Sequence, residues 1–347
     1  MILYICILLA LYFIPFRYAK DGIHSEYISK QSSDCVKGFF ILCIISMHFM
    51  GWNYVPGPVL DDAFQFFNSH LHQFCVSMFL FYSGFGLMES YEKKGFSYVE
   101  NLPRARILKV FLLYLAAEVI FLLFNRCAGI VYDRKTVLYS LAVWRSIGID
   151  NWYFFDILML YTISWGVFRM YRGERLKIAS AITVLSIICA LLLRHLGKEY
   201  WWYDTILCYS FGVWFSLLRG KIEQFFSDNR HYFVTLSVLV GTALLYNHFF
   251  RWKGSIPYNL SAVFFVATIV MVSMKIPSDN PVLAYAGRHI TGIFLMHRLP
   301  MILFTRYLVI PNLYLRFAAV LFSSILLGRV FEKITSPLDK VLQPHRS

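Results

Sequence analysis

Apolar stretches long enough to cross a lipid bilayer recur along almost the whole chain, and they leave its backbone few options. They fall at about 38–55, 72–91, 105–125, 151–169, 177–194, 203–219, 231–250, 257–275, 286–308 and 313–331, and Met1–Phe16 forms a slightly shorter one. A helix needs about 20 residues to span a hydrocarbon core of roughly 30 Å. In lipid every backbone N–H and C=O must be satisfied within the protein, so runs of this length read as α-helices. The expected fold is all-α: a polytopic transmembrane helical bundle of about 11 spans. With 58% hydrophobic and only 15% charged residues, too little polar sequence remains to cover a water-soluble globule.

A net charge of +13 would suggest a nucleic-acid partner in a soluble domain. In a membrane protein the distribution of Lys and Arg over the loops carries the meaning instead, and no nucleic acid is expected. If the loop after the first helix is cytoplasmic, alternate loops collect two thirds of the 33 Lys and Arg, including Arg17, Lys37, Lys93, Arg104, Arg172, Arg219 and Arg329. The first loop on the other side, Asn53 to Leu71, has none and carries Asp61 and Asp62. This alternation predicts a multi-pass protein of the cell (inner) membrane, with its N-terminus outside, its C-terminus cytoplasmic and membrane lipid around it. Met1–Phe16 lacks a basic residue ahead of its apolar core and a small-residue cleavage site, so it reads as an uncleaved helix. The longest external loop, Asn125 to Asp150, is the natural place for a re-entrant or interfacial element.

The 7 cysteines fall mostly within apolar runs and form no CxxC pair. They read as small core residues, and no metal site is expected.

Polar residues inside the apolar runs are where chemistry would lie. Lys37 and His48 share one helix at a spacing of eleven residues, about 20° past three full turns, so they lie on one face about 16 Å apart. Lys37 then sits at the membrane surface and His48 near mid-depth. An ionisable group at that depth faces protein or a water-filled cavity, so His48 either marks a functional site or hydrogen-bonds a neighbouring helix. His297, about 15 Å into its own span, lies at a similar depth, with the permanent cation Arg298 beside it. Two histidines and an arginine at matching depths favour one shared polar cavity. Two carboxylates also fall inside spans. Glu118 lies about 21 Å along its helix from Arg104, and Asp156 enters from the outer side; each is a catalytic candidate, or else sits neutral or hydrogen-bonds a tyrosine.

Two further segments are more ambiguous. Ser83-Gly84-Phe85 puts small residues in a span, where they allow helices to approach closely. Asn101-Leu102-Pro103-Arg104-Ala105-Arg106 places a proline where it suits the first turn of a helix, with two guanidinium groups nearby. Helix N–H groups and arginines together make a phosphate site, although in a regular turn Arg104 and Arg106 point to opposite sides, and either could face lipid headgroups. Trp201-Trp202-Tyr203 reads as an interfacial anchor, and His70 and His72 as an outer-mouth pair.

Taken in order, these segments resemble the membrane acyltransferase-3 family, which O-acylates cell-surface polysaccharides and related sugars. Lys37-x10-His48 resembles its Arg/Lys-x10-His motif, and Ser83-Gly84-Phe85 its FFxxSGF signature. Arg104-x-Arg106 is similar to its Arg-x-Arg pair, Asn151-Trp152-Tyr153-Phe154 loosely to its WFL segment, and Ile293-Phe294-Leu295-Met296-His297 to its IYLxH signature. The chain departs from the pattern in a leading extra helix, lysine at the first position and Phe294 for tyrosine.

The resemblance implies a 10-helix core at 37–332, preceded by an extra helix and loop at 1–36 and followed by a short cytoplasmic tail at 333–347. It implies an acyltransferase that moves an acyl group, acetyl above all, from cytoplasmic acyl-CoA to a sugar or polysaccharide hydroxyl. In that scheme Lys37, Arg104 and Arg106 bind the CoA phosphates. His48 is general base or transient acyl carrier, His297 and Arg298 stabilise the oxyanion or position the thioester, and Glu118 or Asp156 orients His48 or binds sugar hydroxyls. Glycan-assembly proteins or a second copy of the chain are candidate partners. A polysaccharide exporter or flippase is the alternative, with similar spans but no acyl transfer; a membrane glycan polymerase would call for a larger, arginine-rich external loop.

The charge alternation makes a direct prediction. A topology reporter fused after Pro58 reads as external, and one fused after Gly95 as cytoplasmic. The opposite pattern would put Lys37 and the Arg104–Arg106 pair on the wrong side for a cytoplasmic donor.

Overall fold

The computed structural model describes residues 1–54 and 59–342, and the described residues form helices and no strand. Pro58 and the last five residues of the expected tail lie outside the described residues. In chain order the helices are α1 (Ile2–Phe13), α2 (Lys30–Asn53), α3 (Val59–Leu71), α4 (Phe74–Lys94), α5 (Phe96–Leu102), α6 (Lys109–Cys127), α7 (Arg134–Leu141), α8 (Asn151–Met170), α9 (Arg175–His195), α10 (Leu207–Phe226), α11 (Asn229–Phe250), α12 (Ser255–Lys275), α13 (Pro281–Arg288), α14 (Ile290–Met296), α15 (Arg298–Ile302) and α16 (Leu313–Leu342). Among the described residues, 7 helical stretches are long and apolar enough to cross a membrane. The chain is a multi-pass helical membrane protein, the all-α class expected from its hydropathy.

Several local expectations change. Pro103 does not open a helix: α5 begins at Phe96, and Phe96–Cys127 runs as one helical stretch through a π-turn at Pro103–Leu108. Proline supplies no N–H and crowds the carbonyl four residues back, and the wider turn absorbs both. The loop before Asp150, expected to be external, contains the short α7, whose start is capped by the Asp133 side chain accepting from the Thr136 N–H. The loop after α2, expected on the outer side, is helical over α3, and α16 continues through the first part of the expected tail. Trp202 and Tyr203 are buried rather than presented as surface anchors.

The chain divides into two compact units. The first comprises Met1–Met47, Tyr54–Lys93 and Gly173–Arg288. In it α10 packs on α9 and α12, α11 lies along α12, and α1 meets α3 and α13. Gly84 of the Ser83-Gly84-Phe85 segment belongs to a tight seam there: a Cβ on it would overlap the Tyr209 carbonyl, and one on Gly212 would overlap the Phe81 carbonyl. This is the close helix approach that small residues permit.

The second unit comprises His48–Asn53, Lys94–Arg172 and the chain from His289 onward. Here α14 lies along α16, which also meets α6, and α8 packs on α5 and α6. Three α16 residues spaced by four fasten α14 along its length. Glu332 accepts from the Gly292 N–H at 3.2 Å and pairs with His289 Nδ1 at 2.6 Å. One turn back, Gly328 abuts the Gly292 and Ile293 backbone so closely that any Cβ there would overlap it. Another turn back, the Ser324 hydroxyl lies 3.5 Å from the His297 carbonyl. Residues four apart share a helix face, so one stripe of α16 sets the position of α14 and of His297 at its end.

Gly328→Val should destabilise the protein by about 1–3 kcal/mol, the usual cost of forcing extra atoms into a packed interface. Its thermal unfolding in detergent is expected below that of the native protein, whereas Gly241→Val, placed where nothing lies within 4 Å, should unfold like the native chain. Equal unfolding temperatures for both variants would contradict the tight α14–α16 seam.

Candidate active site

His297 stands at a break between α14 and α15, and the break has a local cause. Pro300 supplies no N–H to the Met296 carbonyl and crowds it, so the helix cannot run through regularly. The ring of His297 is directed by its own turn: Nδ1 lies 2.8 Å from the Phe294 carbonyl, which can only accept, so Nδ1 carries the proton. Phe294 is held in turn against Tyr153 and Phe154 of α8, with ring centroids 5.1 and 5.9 Å away. Two segments far apart in the chain therefore meet here.

Asp150 comes to the same place from the loop before α8. Two buried asparagines shape that loop. Asn125 Nδ2 donates to the Ile147 carbonyl at 2.8 Å, and Asn151 Nδ2 to the Val143 carbonyl at 2.8 Å. Gly148 adopts φ +142°, and a Cβ on it would press on the Phe121 ring. The carboxylate, 7% exposed, receives Arg298 in a two-point contact: Nε to Oδ2 at 2.7 Å and Nη2 to Oδ1 at 2.5 Å. This fork-to-fork geometry is the strong form of a charge-assisted pair.

His48 completes the cluster from α2. Its Nδ1 lies 2.9 Å from His297 Nε2, with the rings 5.1 Å apart and inclined by 25°. Asp150 Oδ2 is 3.5 Å from both of these nitrogens. Because Arg298 balances Asp150, two neutral imidazoles leave the group without net charge, the state that costs least in an apolar interior. In that state His297 Nε2 holds a lone pair and accepts from His48 Nδ1–H, which puts the His48 lone pair on Nε2. The two imidazoles also differ in access. His297 is 0% exposed and His48 33%, so only His48 can meet a substrate directly.

His48, Asp150 and His297 also have the composition of a metal-ligand set, their candidate donor atoms lying within 4.8 Å of one another. The chemistry of the surroundings works against a dication. The same Asp150 oxygen that would ligate it already accepts from Arg298, whose fixed positive charge would repel it.

The other candidate residues lie elsewhere. Glu118 and Asp156 are fully buried, and among the described residues none of their carboxylate oxygens has a hydrogen-bond partner. Neither belongs to the histidine cluster. Tyr114 and Ser140 beside Glu118 direct their hydroxyls at backbone carbonyls, of Ser140 and Val137 respectively. Lys37 pairs with Asp34 at 2.6 Å, one turn away on α2. Arg104 is exposed and donates from Nη2 to the Val341 carbonyl near the end of α16, and Arg106 is exposed as well. Asp150 is the residue that sequence reasoning did not single out. Its position directly before the Asn151-Trp152-Tyr153 segment was the available signal.

A sequence model described as an acyltransferase domain matches residues 30–331, most of the chain. The chain belongs to the acyltransferase-3 family. The match begins at the first residue of α2, leaving α1 ahead of it. No curated protein and no solved structure is similar enough to the chain to count as a match. Within this acyltransferase the histidine cluster draws together the beginning, middle and end of the family domain.

Removing one member of a buried pair leaves its partner's charge uncompensated, which costs about 3–5 kcal/mol in full burial. Arg298 is 25% exposed, so Asp150→Ala is expected to lose somewhat less. The double variant Asp150→Ala/Arg298→Met should recover part of that loss in equilibrium unfolding. Additive losses would mean that the two residues do not interact energetically.

Proposed function

We propose that this acyltransferase moves an acetyl group from cytoplasmic acetyl-CoA to a hydroxyl of a surface polysaccharide or of its lipid-linked precursor. The observation that carries this reading is the accessible His48 imidazole, backed by His297, within a family domain that covers residues 30–331. His48 Nε2 takes the proton of the acceptor hydroxyl as its oxygen attacks the thioester carbonyl. The carbon–sulfur bond then breaks, and the CoA thiolate recovers that proton from the imidazolium. His297 stabilises the charged His48 through the Nδ1–H contact, and Asp150 offers a carboxylate 3.5 Å from the same nitrogen. Arg298 fixes that carboxylate, and its remaining N–H groups are available to a developing oxyanion.

On the donor side, the exposed Arg104 and Arg106 supply fixed positive charge for the CoA phosphates. Lys37 contributes less, since Asp34 neutralises it. Glu118 and Asp156 stay outside the reaction in this scheme.

The test is transfer of labelled acetyl from acetyl-CoA to surface glycans in membranes. His48→Ala should insert and still bind donor, while transfer falls by roughly 10²–10⁴-fold, as for a lost general base. Rapid quenching without acceptor shows no labelled protein if transfer is direct, and labelled His48 if the imidazole carries the acyl group. Full transfer by a well-expressed His48→Ala protein would make the histidine structural and defeat the proposal.

A further inference from the structure

A polar cavity lies within the first compact unit and is lined by none of the residues of the histidine cluster. It occupies about 340 Å³ between the loop that joins α9 to α10 and the turn that joins α11 to α12. The loop charge pattern predicts that both connections lie on the outer side. Its walls include two charged side chains that the fold keeps almost out of reach of water, Asp204 at 4% exposure and Arg251 at 2%. Each retains a buried polar atom that has no hydrogen-bond partner among the described residues, Asp204 Oδ1 and Arg251 Nε.

Arg251 is built in firmly. Nη1 donates to the His70 carbonyl at 2.7 Å and Nη2 to the Tyr258 hydroxyl at 3.2 Å, while the guanidinium lies 4.4 to 5.1 Å from the ring centres of Phe74, Trp252 and Tyr258. A buried ionic group with an unsatisfied atom is costly to maintain. Packing alone gives no reason to keep two of them around one cavity.

The remaining wall is aromatic. Tyr200 and Trp252 are exposed at 42% and 64%, and Tyr258 is buried behind them. A ligand matching this lining needs a group that donates to a carboxylate, a group that accepts from a guanidinium, and an apolar face for the rings. A simple anion meets Asp204, and a simple cation meets Arg251 and Arg194. A ring carrying several hydroxyls satisfies both, because each hydroxyl donates and accepts and the C–H face packs on an aromatic surface. The volume falls within the range of small-molecule sites, about 300–1,000 Å³.

We propose that this cavity is an extracytoplasmic saccharide-binding site that takes an uncharged pyranose unit, with Asp204 and Arg251 bonding its hydroxyls and Trp252 and Tyr200 carrying its C–H face.

Binding is measured without an acyl donor, so the outcome is independent of His48 and of the transfer reaction. Full-length protein in lipid nanodiscs is titrated with glucose, galactose and N-acetylglucosamine, with binding read by saturation-transfer NMR of the sugar ring protons. Glycerol serves as an acyclic polyol control, and acetate and inorganic phosphate as anion controls. At least one pyranose should give a saturable signal, absent for glycerol and undiminished by either anion. Asp204→Asn, nearly isosteric, should weaken it by roughly tenfold or more, as expected for losing a hydrogen bond to a charged group. Trp252→Ala, at a position 64% exposed, should weaken it too, and Trp252→Tyr should restore part of it. No saturable signal from any of the three sugars would overturn the proposal. So would native binding in both Asp204→Asn and Trp252→Ala, or saturable binding of acetate or phosphate with none of the sugars.

Discussion

A guanidinium cannot shed its charge, so a largely buried Arg298 at the break between α14 and α15 commits the surrounding structure to supplying an anion. Asp150 is that anion, and its two-point contact fixes both groups at once. Once the pair is in place, the neighbouring imidazoles can remain neutral, and the direction of their hydrogen bonds follows from the Phe294 carbonyl. The tautomer of His48 is therefore set by a backbone oxygen two contacts away.

Holding this arrangement in place is the work of elements that carry no chemistry. The stripe Ser324, Gly328 and Glu332 clamps α14 from end to end, and Pro300 ends the regular helix where His297 and Arg298 must turn inward. On the opposite wall, Asn125 and Asn151 spend their side-chain amides on loop carbonyls, so the segment before α8 stays rigid without secondary structure of its own. The two buried carboxylates Glu118 and Asp156 show the contrast: among the described residues none of their oxygens has a hydrogen-bond partner, and the hydroxyls beside Glu118 turn to backbone carbonyls instead. Burial by itself makes an acid conspicuous, and partners make it reactive.

Much of this was legible before the structure. His48, His297 and Arg298 each interrupt an apolar run, and a polar group in hydrocarbon is expensive enough to stand out in any reading of the chain. Asp150 does not stand out, because a carboxylate in a loop looks solvated until the loop is seen folded inward. The π-turn at Pro103 was hidden for a different reason. Proline opens helices more readily than it sits within them, and only the continuation of α5 into α6 shows that the carbonyl it crowds has been accommodated by widening the turn.

The sequence by itself determined the helical class and the membrane setting, because hydropathy and the need to satisfy backbone groups in lipid act locally along the chain. It also marked the segments that identify the family. Only the tertiary structure decided that His48 and His297 share a hydrogen bond, that Asp150 rather than Glu118 or Asp156 is their carboxylate, and that Arg251 and Asp204 line a common cavity. Those are contacts between residues that lie tens to hundreds of positions apart. They depend on helix packing and loop closure, which no periodicity along the chain records.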